Sequence, residues 1–305
     1  MPEPVSILDA IRQQTLDAEL AGLLWALLDA GLPLLVAGPG ETPDDLERRR
    51  SLLDLLLDLA PPERVRRTLA PTEEFPWIAE VESLGWRRAQ PAGGAATSVA
   101  APGPGEPLPL LPPPDQCLLL AGELGGVPPA DTIGDRARLV VRALGLGYGL
   151  GATVRGARLE DVLDLLRARP INLTDDELSR LGVVLVLGPG SAGQRTKVAA
   201  AHYLRPLARD VHGHEQRLPP AVLATWDGGS GRFEHFAWGV VPELADRLGH
   251  RVGDFERDRA RRTEALVGLA GLHLPDRAAE RVVLEQFRRD GLASHGPGNR
   301  HGRVN

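Results

Sequence analysis

The chain has 305 residues, of which 43% are hydrophobic, and a formal net charge of −6. This length holds one large α/β domain or two smaller units with an ample core, while the acidic balance lacks the basic footprint that nucleic acid or an anionic membrane surface requires. Cys117 is the single cysteine and Lys197 the single lysine, which excludes an internal disulfide, a cysteine-built zinc site and a lysine phosphate clamp anywhere else.

In chain order, residues 1–14 read as a short leader without the basic region and apolar core of a signal peptide. No stretch reaches 18 uninterrupted apolar residues, and the chain is expected to be cytoplasmic without membrane insertion. Thr15 to Ala30 has apolar residues at helical spacing, with Thr15 as N-cap. It leads into the apolar run Leu34 to Ala37, a Gly38-Pro39-Gly40 turn and a Leu-rich helix that ends before Pro61-Pro62. Strand, Gly-rich turn and helix are the parts of a phosphate-binding unit.

The residues of the turn oppose that use. In the G-x-x-x-x-G-K-[ST] loop, backbone N–H groups cradle phosphates, the Lys meets the β and γ phosphates and the hydroxyl holds Mg²⁺. Counted from Gly38 through Pro39, Gly40, Glu41 and Thr42, Pro43 stands for the second glycine, Asp44 for the Lys and Asp45 for the Ser/Thr. The same residues suit a helix start, with Thr42 as cap, Pro43 in the first position and both aspartates against the positive dipole end. Each unit pair of charge is worth roughly 4 kcal/mol at ~4 Å and an effective dielectric near 20, before solvent screening. The loop is therefore expected to repel a triphosphate, its anion site filled by the protein's own carboxylates.

Farther on, Val65 to Ala70 reads as a strand and Pro91 to Pro114 as a mobile Ala/Gly/Pro-rich excursion. Order returns with the strand CLLLAGE at Cys117, a helix from about Ala130 to Leu144 and the Gly-rich strand GYGLGATV. Helices follow from Leu159 to Arg169 and, capped, from Thr174 to Arg180, before a strand from Val183 to Leu187. This alternation predicts a largely parallel sheet covered on both faces. Gly188-Pro189-Gly190 with Gly193 imitates a second phosphate loop, but Gln194 and Arg195 hold its signature positions, and it reads as a hairpin turn. Val222 to Trp226 and Arg232 to Trp238 form a hairpin around Asp227-Gly228-Gly229. Pro242 to Gly291 reads as a helical subdomain with a charged, solvated face, and the residues from Ala293 onward as a disordered tail.

Taken in this order, the elements resemble the RecA-type motor domain of the type II/type IV secretion ATPases, especially the branch that drives Flp/Tad-type and archaeal-type pilus assembly. The segment PDQCLLLAGELGG, Pro114 to Gly126, is similar to that family's Walker B pattern, which implies a catalytic role for Glu123 at the Mg²⁺-bound water; Gly125 replaces the usual basic residue. LGYGLGATVRGARLEDVLDLL resembles its His-box region, with Arg155 in place of the His, which implies a charge clamp on phosphate. LAPPERVRRTLAPTEEF resembles its acidic box, which implies Glu73 or Glu74 near Mg²⁺. The resemblance implies a RecA-like P-loop NTPase core over residues 15–205, a hairpin and helical C-terminal subdomain over 206–292, and ATP with Mg²⁺ as cofactors.

Turnover in such proteins needs positioned phosphates, held Mg²⁺ and oriented water. The altered turn therefore predicts a pseudo-ATPase, with weak or no ATP binding, that acts through contacts with secretion or pilus machinery proteins. Those include an active ATPase relative, in a homo- or hetero-oligomer. Two other readings stay open. One is a working ATPase in which Arg155 or another arginine replaces the Lys and Glu123 is catalytic. The other is a metal-dependent hydrolase built on His202, Asp210, His212, His214 and Glu215, where His212 and His214 would share one strand face. His235 reads as a half-buried, hydrogen-bonded histidine.

Overall fold

Leu- and Val-rich runs form the strands and capped amphipathic stretches the helices, in a computed structural model that describes residues 4–78, 81–86, 112–188, 196–209, 215–272 and 274–294. The chain opens with α1 (Ile7–Arg12) and α2 (Ala18–Asp29), then β1 (Leu34–Gly38), α3 (Pro43–Leu57) and β2 (Val65–Thr68). Most of the expected excursion, residues 91–111, lies outside the described residues. Next come β3 (Cys117–Gly125), β4 (Thr132–Ile133), α4 (Asp135–Ala143), β5 (Gly149–Arg155), α5 (Leu159–Arg167), α6 (Asp175–Ser179) and β6 (Val183–Leu187). The chain continues through β7 (Val198–Tyr203), β8 (Ala208–Arg209), β9 (Glu215–Gln216), β10 (Ala221–Asp227) and β11 (Arg232–His235) to α7 (Val241–Arg247), α8 (Val252–Ala270) and α9 (Arg277–Ser294).

The main sheet runs β11-β10-β7-β6-β1-β5-β3-β2, with β4 beside β3. From β6 to β2 the strands are parallel, and β7, β10 and β11 continue it antiparallel. The molecule is thus an α/β protein with a mostly parallel, mixed sheet. Parallel strands are buried on both faces, so they read as continuous apolar runs. In β1, Leu34 and Val36 enter one core with α1, α2, α3 and α7 to α9, while Leu35 and Ala37 enter the other with α4, α5 and α6. Helices therefore cover both faces.

Several expectations are corrected. Residues 1–14 are not merely a leader, because α1 buries Ile7, Leu8 and Ala10 in the first core. Thr15 does not cap α2; it is buried, with its carbonyl accepting from the Val198 N–H at 2.8 Å, and Asp17 takes over the cap by accepting from the Leu20 N–H. The helix expected from Ala130 begins at Asp135, since Thr132 and Ile133 pair with Leu124 and Gly125.

The hairpin and helices expected as a separate C-terminal subdomain continue the main sheet and core. Strand β10 pairs with β7, and Phe255, Leu266 and Leu284 enter the first core. Helix α8 lies so close to α2 that a Cβ at Gly22 would stand 2.3 Å from Thr263 Oγ1. Not all of the C-terminal charges are solvated: Arg262 and Arg288 both reach inward to Asp29. The expected tail begins within α9, which runs to Ser294; residues 295–305 lie outside the described ones. Among the described residues no helix is long and apolar enough to cross a membrane.

Candidate functional site

The site lies at the carboxyl ends of β1, β5 and β3, where parallel strands deliver their loops to a common crevice. Register aligns its parts: Val36 stands opposite Thr153, Gly38 opposite Arg155, and Thr153 opposite Glu123. The last pairing depends on a bulge. Leu120 pairs with Gly151, so a regular ladder would set Gly122 opposite Thr153 and turn Glu123 to the other face; the register shift between Leu120 and Glu123 restores it. Gly122 makes the bulge with φ +64°, a conformation costly for residues with a Cβ.

Asp131 pins this bulge. Its Oδ2 accepts from the Glu123 N–H at 2.7 Å and from Arg50 Nη2 at 2.6 Å, and its own N–H donates to the Glu123 carbonyl at 3.0 Å. A Cβ at Gly122 would lie 2.4 Å from that Oδ2. The Gly within an apolar strand was the available signal for a bulge; the Asp that holds it carries none of its own.

Glu123 is buried and already fully engaged. Arg49 Nη2 donates to its Oε1 at 2.9 Å and Arg49 Nε to its Oε2 at 3.2 Å, while the Thr153 hydroxyl donates to Oε2 at 2.7 Å. The remaining nitrogen, Arg49 Nη1, donates to the carbonyls of Gly38, Pro39 and Gly40 at 3.2, 3.2 and 3.3 Å. One guanidinium thus closes the turn from inside and leaves it presenting carbonyl oxygens, the wrong polarity for a phosphate. Sequence reasoning missed Arg49, which sits in an Arg48-Arg49-Arg50 run that looks like a solvated face. Its spacing from Leu52, Leu53 and Leu56 was the signal, because i, i+3, i+4 and i+7 share one helix face.

The outer side of the turn is occupied by a carboxylate, as expected. Thr42 caps α3, Pro43 is in its first turn, and Asp45 completes a capping box, its Oδ2 accepting from the Thr42 N–H at 3.2 Å and from the Thr42 hydroxyl at 2.6 Å. That hydroxyl bond, opposed by slight burial and aided by the Thr42 N–H, Arg48 and Arg49, holds the Asp45 carboxyl below the usual carboxylate range. A Cβ at Gly40, whose φ is +86°, would come within 2.0 Å of Asp45 Oδ2. Asp44 is exposed in the first turn and does not fill the cradle.

Arg155 and Glu41 form an ion pair at the rim of a cleft of about 160 Å³ beside the turn, which Arg49, Glu123 and the apolar Leu46 and Leu165 also line. That volume falls below the roughly 300–1,000 Å³ of small-ligand pockets. Glu74 is corrected: it does not line this cleft, and its carboxylate accepts from Arg136 at 3.2 Å, while Glu73 accepts from Trp77 Nε1. His202 lies on β7, but Asp210, His212 and His214 fall outside the described residues. Among the described residues no three His, Cys, Asp or Glu side chains are grouped to hold a metal ion. Compared with protein-family models and with curated proteins, the chain matches none.

Proposed function

We propose that this chain is a RecA-like protein of the secretion and pilus-assembly ATPase kind that has lost nucleotide turnover and works in the cytoplasm through contacts with a secretion or pilus motor. The observation that carries the loss of turnover is Arg49, which satisfies three carbonyls of the turn and both oxygens of Glu123 at once. An acid held by a buried guanidinium and a hydroxyl has no free oxygen pair for a Mg²⁺-bound water. The Gly38, Pro39 and Gly40 carbonyls face inward, so the turn presents acceptors where phosphates need donors. The parallel order β6-β1-β5-β3-β2, with the turn and Glu123 at the same end of the sheet, supports the likeness to a nucleotide-binding core.

The test is Mg²⁺-ATP calorimetry on the native protein and on a version carrying Pro43→Gly, Asp44→Lys, Asp45→Thr and Arg49→Ala. The native protein is expected to be silent and the rebuilt one to bind. Tight binding and hydrolysis by the native protein would overturn this reading in favour of a working ATPase whose phosphates are held by Arg155 or Arg49. The partner is tested by adding the native protein to an active ATPase of the family; an unchanged oligomeric state and turnover of that ATPase would remove the motor-partner role.

A further inference from the structure

We infer that the cavity between the edge strand β2 and helix α9 is a binding site for a phosphate group. It measures about 320 Å³ and is lined by Arg64, Arg66, Arg281 and Arg288 together with Asp58 and Glu285. It lies at the amino ends of the parallel strands, where Val65 pairs with Cys117, at the opposite end of the sheet from the Gly38-Pro39-Gly40 turn. Nothing in the proposed function uses it.

Local geometry brings the guanidinium groups together. Arg64, in the turn just before β2, and Arg66, on β2, both line the cavity, while Arg281 and Arg288 stand seven apart on α9 and share a helix face. The nearby carboxylates are already taken. Asp58 accepts from Arg277 and forms an ion pair with Arg281 at 2.9 Å; Asp29 accepts from Arg262 and, at 3.0 Å, from Arg288; Glu285 pairs with Arg289. Arg66 donates to the Leu57 carbonyl at 2.6 Å, and neither it nor Arg64 has a carboxylate within 4.0 Å among the described residues.

Two half-buried cations therefore face a cavity with no anion of their own. Burial lowers the proton affinity of both, and Arg281 and Arg277 lower that of Arg66 further, although Asp29, Asp115, Asp58 and Asp54 oppose this. A multiply charged anion would relieve that crowding. Planar guanidinium forks match the oxygens of phosphate two at a time, which makes phosphate the fitting chemistry, and the volume is enough for a phosphate with a small organic group.

Inorganic pyrophosphate is the probe for a soluble phosphate, titrated by calorimetry at constant ionic strength into the full chain. Vesicles of phosphatidylcholine with and without phosphatidic acid are the probe for a lipid headgroup. Saturable pyrophosphate binding, weakened about tenfold or more in Arg64→Gln/Arg66→Gln and retained in the exposed-site control Arg257→Gln, supports a soluble ligand. Retention on phosphatidic acid vesicles alone, lost in the same double variant, supports a headgroup. Arg281→Gln, at a half-exposed position whose loss frees Asp58 to repel the anion, gives the same reading if the double variant does not fold. No binding to either probe, or binding that both arginine variants keep, overturns the site.

Discussion

Arg49 and Glu123 bury opposite charges against each other, with side chains 3% and 8% exposed, and the consequences of removing either follow from that burial. A paired, hydrogen-bonded ion pair in a core adds little over an apolar pair of the same volume, but a lone buried charge is costly. Arg49→Ala is expected to cost about 3–5 kcal/mol in urea unfolding, whereas Arg49→Met with Glu123→Leu recovers most of that loss. A cost for Arg49→Ala below about 1 kcal/mol would mean that water already reaches Glu123. The turn residues and Glu123 could be read from the sequence because glycines, a Pro-Asp pair and an apolar strand lie close together in the chain. Arg49 meets Glu123 across 74 positions of separation, and no local pattern reports such a contact.

At the scale of elements, one aspartate ties a helix to a strand. Asp17 Oδ1 caps α2 through the Leu20 N–H, and its Oδ2 lies 2.8 Å from His235 Nε2 on β11. Burial lowers the His235 pKa and Arg259 adds to this, but the hydrogen bond and charge of Asp17, with Glu19, outweigh them and raise it above the ordinary value. A raised histidine stabilises the fold fully below its unfolded pKa of about 6.5, and that stability is lost as pH rises through the folded value. The difference in unfolding free energy between native protein and His235→Gln should therefore shrink from about pH 5 to pH 8. Taking the difference cancels the opposite contribution of His202, whose pKa burial lowers. A difference that is flat with pH would show that Asp17 does not select the charged ring.

Helix α3 gives a second test at this scale. Thr42→Ala removes the cap and should cost about 0.5–2 kcal/mol. The Asp45 contribution is present above the unfolded carboxylate pKa of about 3.9 and is lost as pH falls through its depressed folded value, so the variant should also lose part of its acid-side pH dependence. Equal stability of Thr42→Ala and native protein across that range would dismiss the capping box as a stabilising feature. This cap was readable beforehand, since Thr42, Pro43, Asp44 and Asp45 are consecutive helix-start residues.

For the whole molecule, the sheet from β2 to β11 and the first core join the first described helix, α1, to the last, α9. The α1 cap residue Ser6 donates to Glu280 of α9 at 2.8 Å, and α8 packs on α2 at Gly22. Unfolding is expected to be a single transition by tryptophan fluorescence and by far-ultraviolet circular dichroism; two separated transitions would restore an independent C-terminal unit. Gly22→Ala gains about 1 kcal/mol of helix propensity yet must push Thr263 away, including backbone atoms at 3.0 and 3.1 Å. A net loss of about 1–3 kcal/mol is expected, read from the shift in urea midpoint, and a gain would place α8 farther from α2. By itself the sequence determined the strand and helix alternation, the capped turn after β1, the strand bearing Glu123 and the half-buried His235, because periodicity, caps and turn residues act over a few neighbouring positions. Tertiary structure alone decided that Arg49 fills the turn, that Asp131 holds the bulge behind Glu123, that Glu74 stands away from the cleft, and that the last helices join the first core. Arg49 meets Glu123, and the last helices meet the first core, across long stretches of chain, while Arg49 reaches the turn and Asp131 the bulge over 8 to 11 positions, a spacing that no helical or strand periodicity reports; all are chosen by packing and by the need of buried charges and backbone groups to find partners.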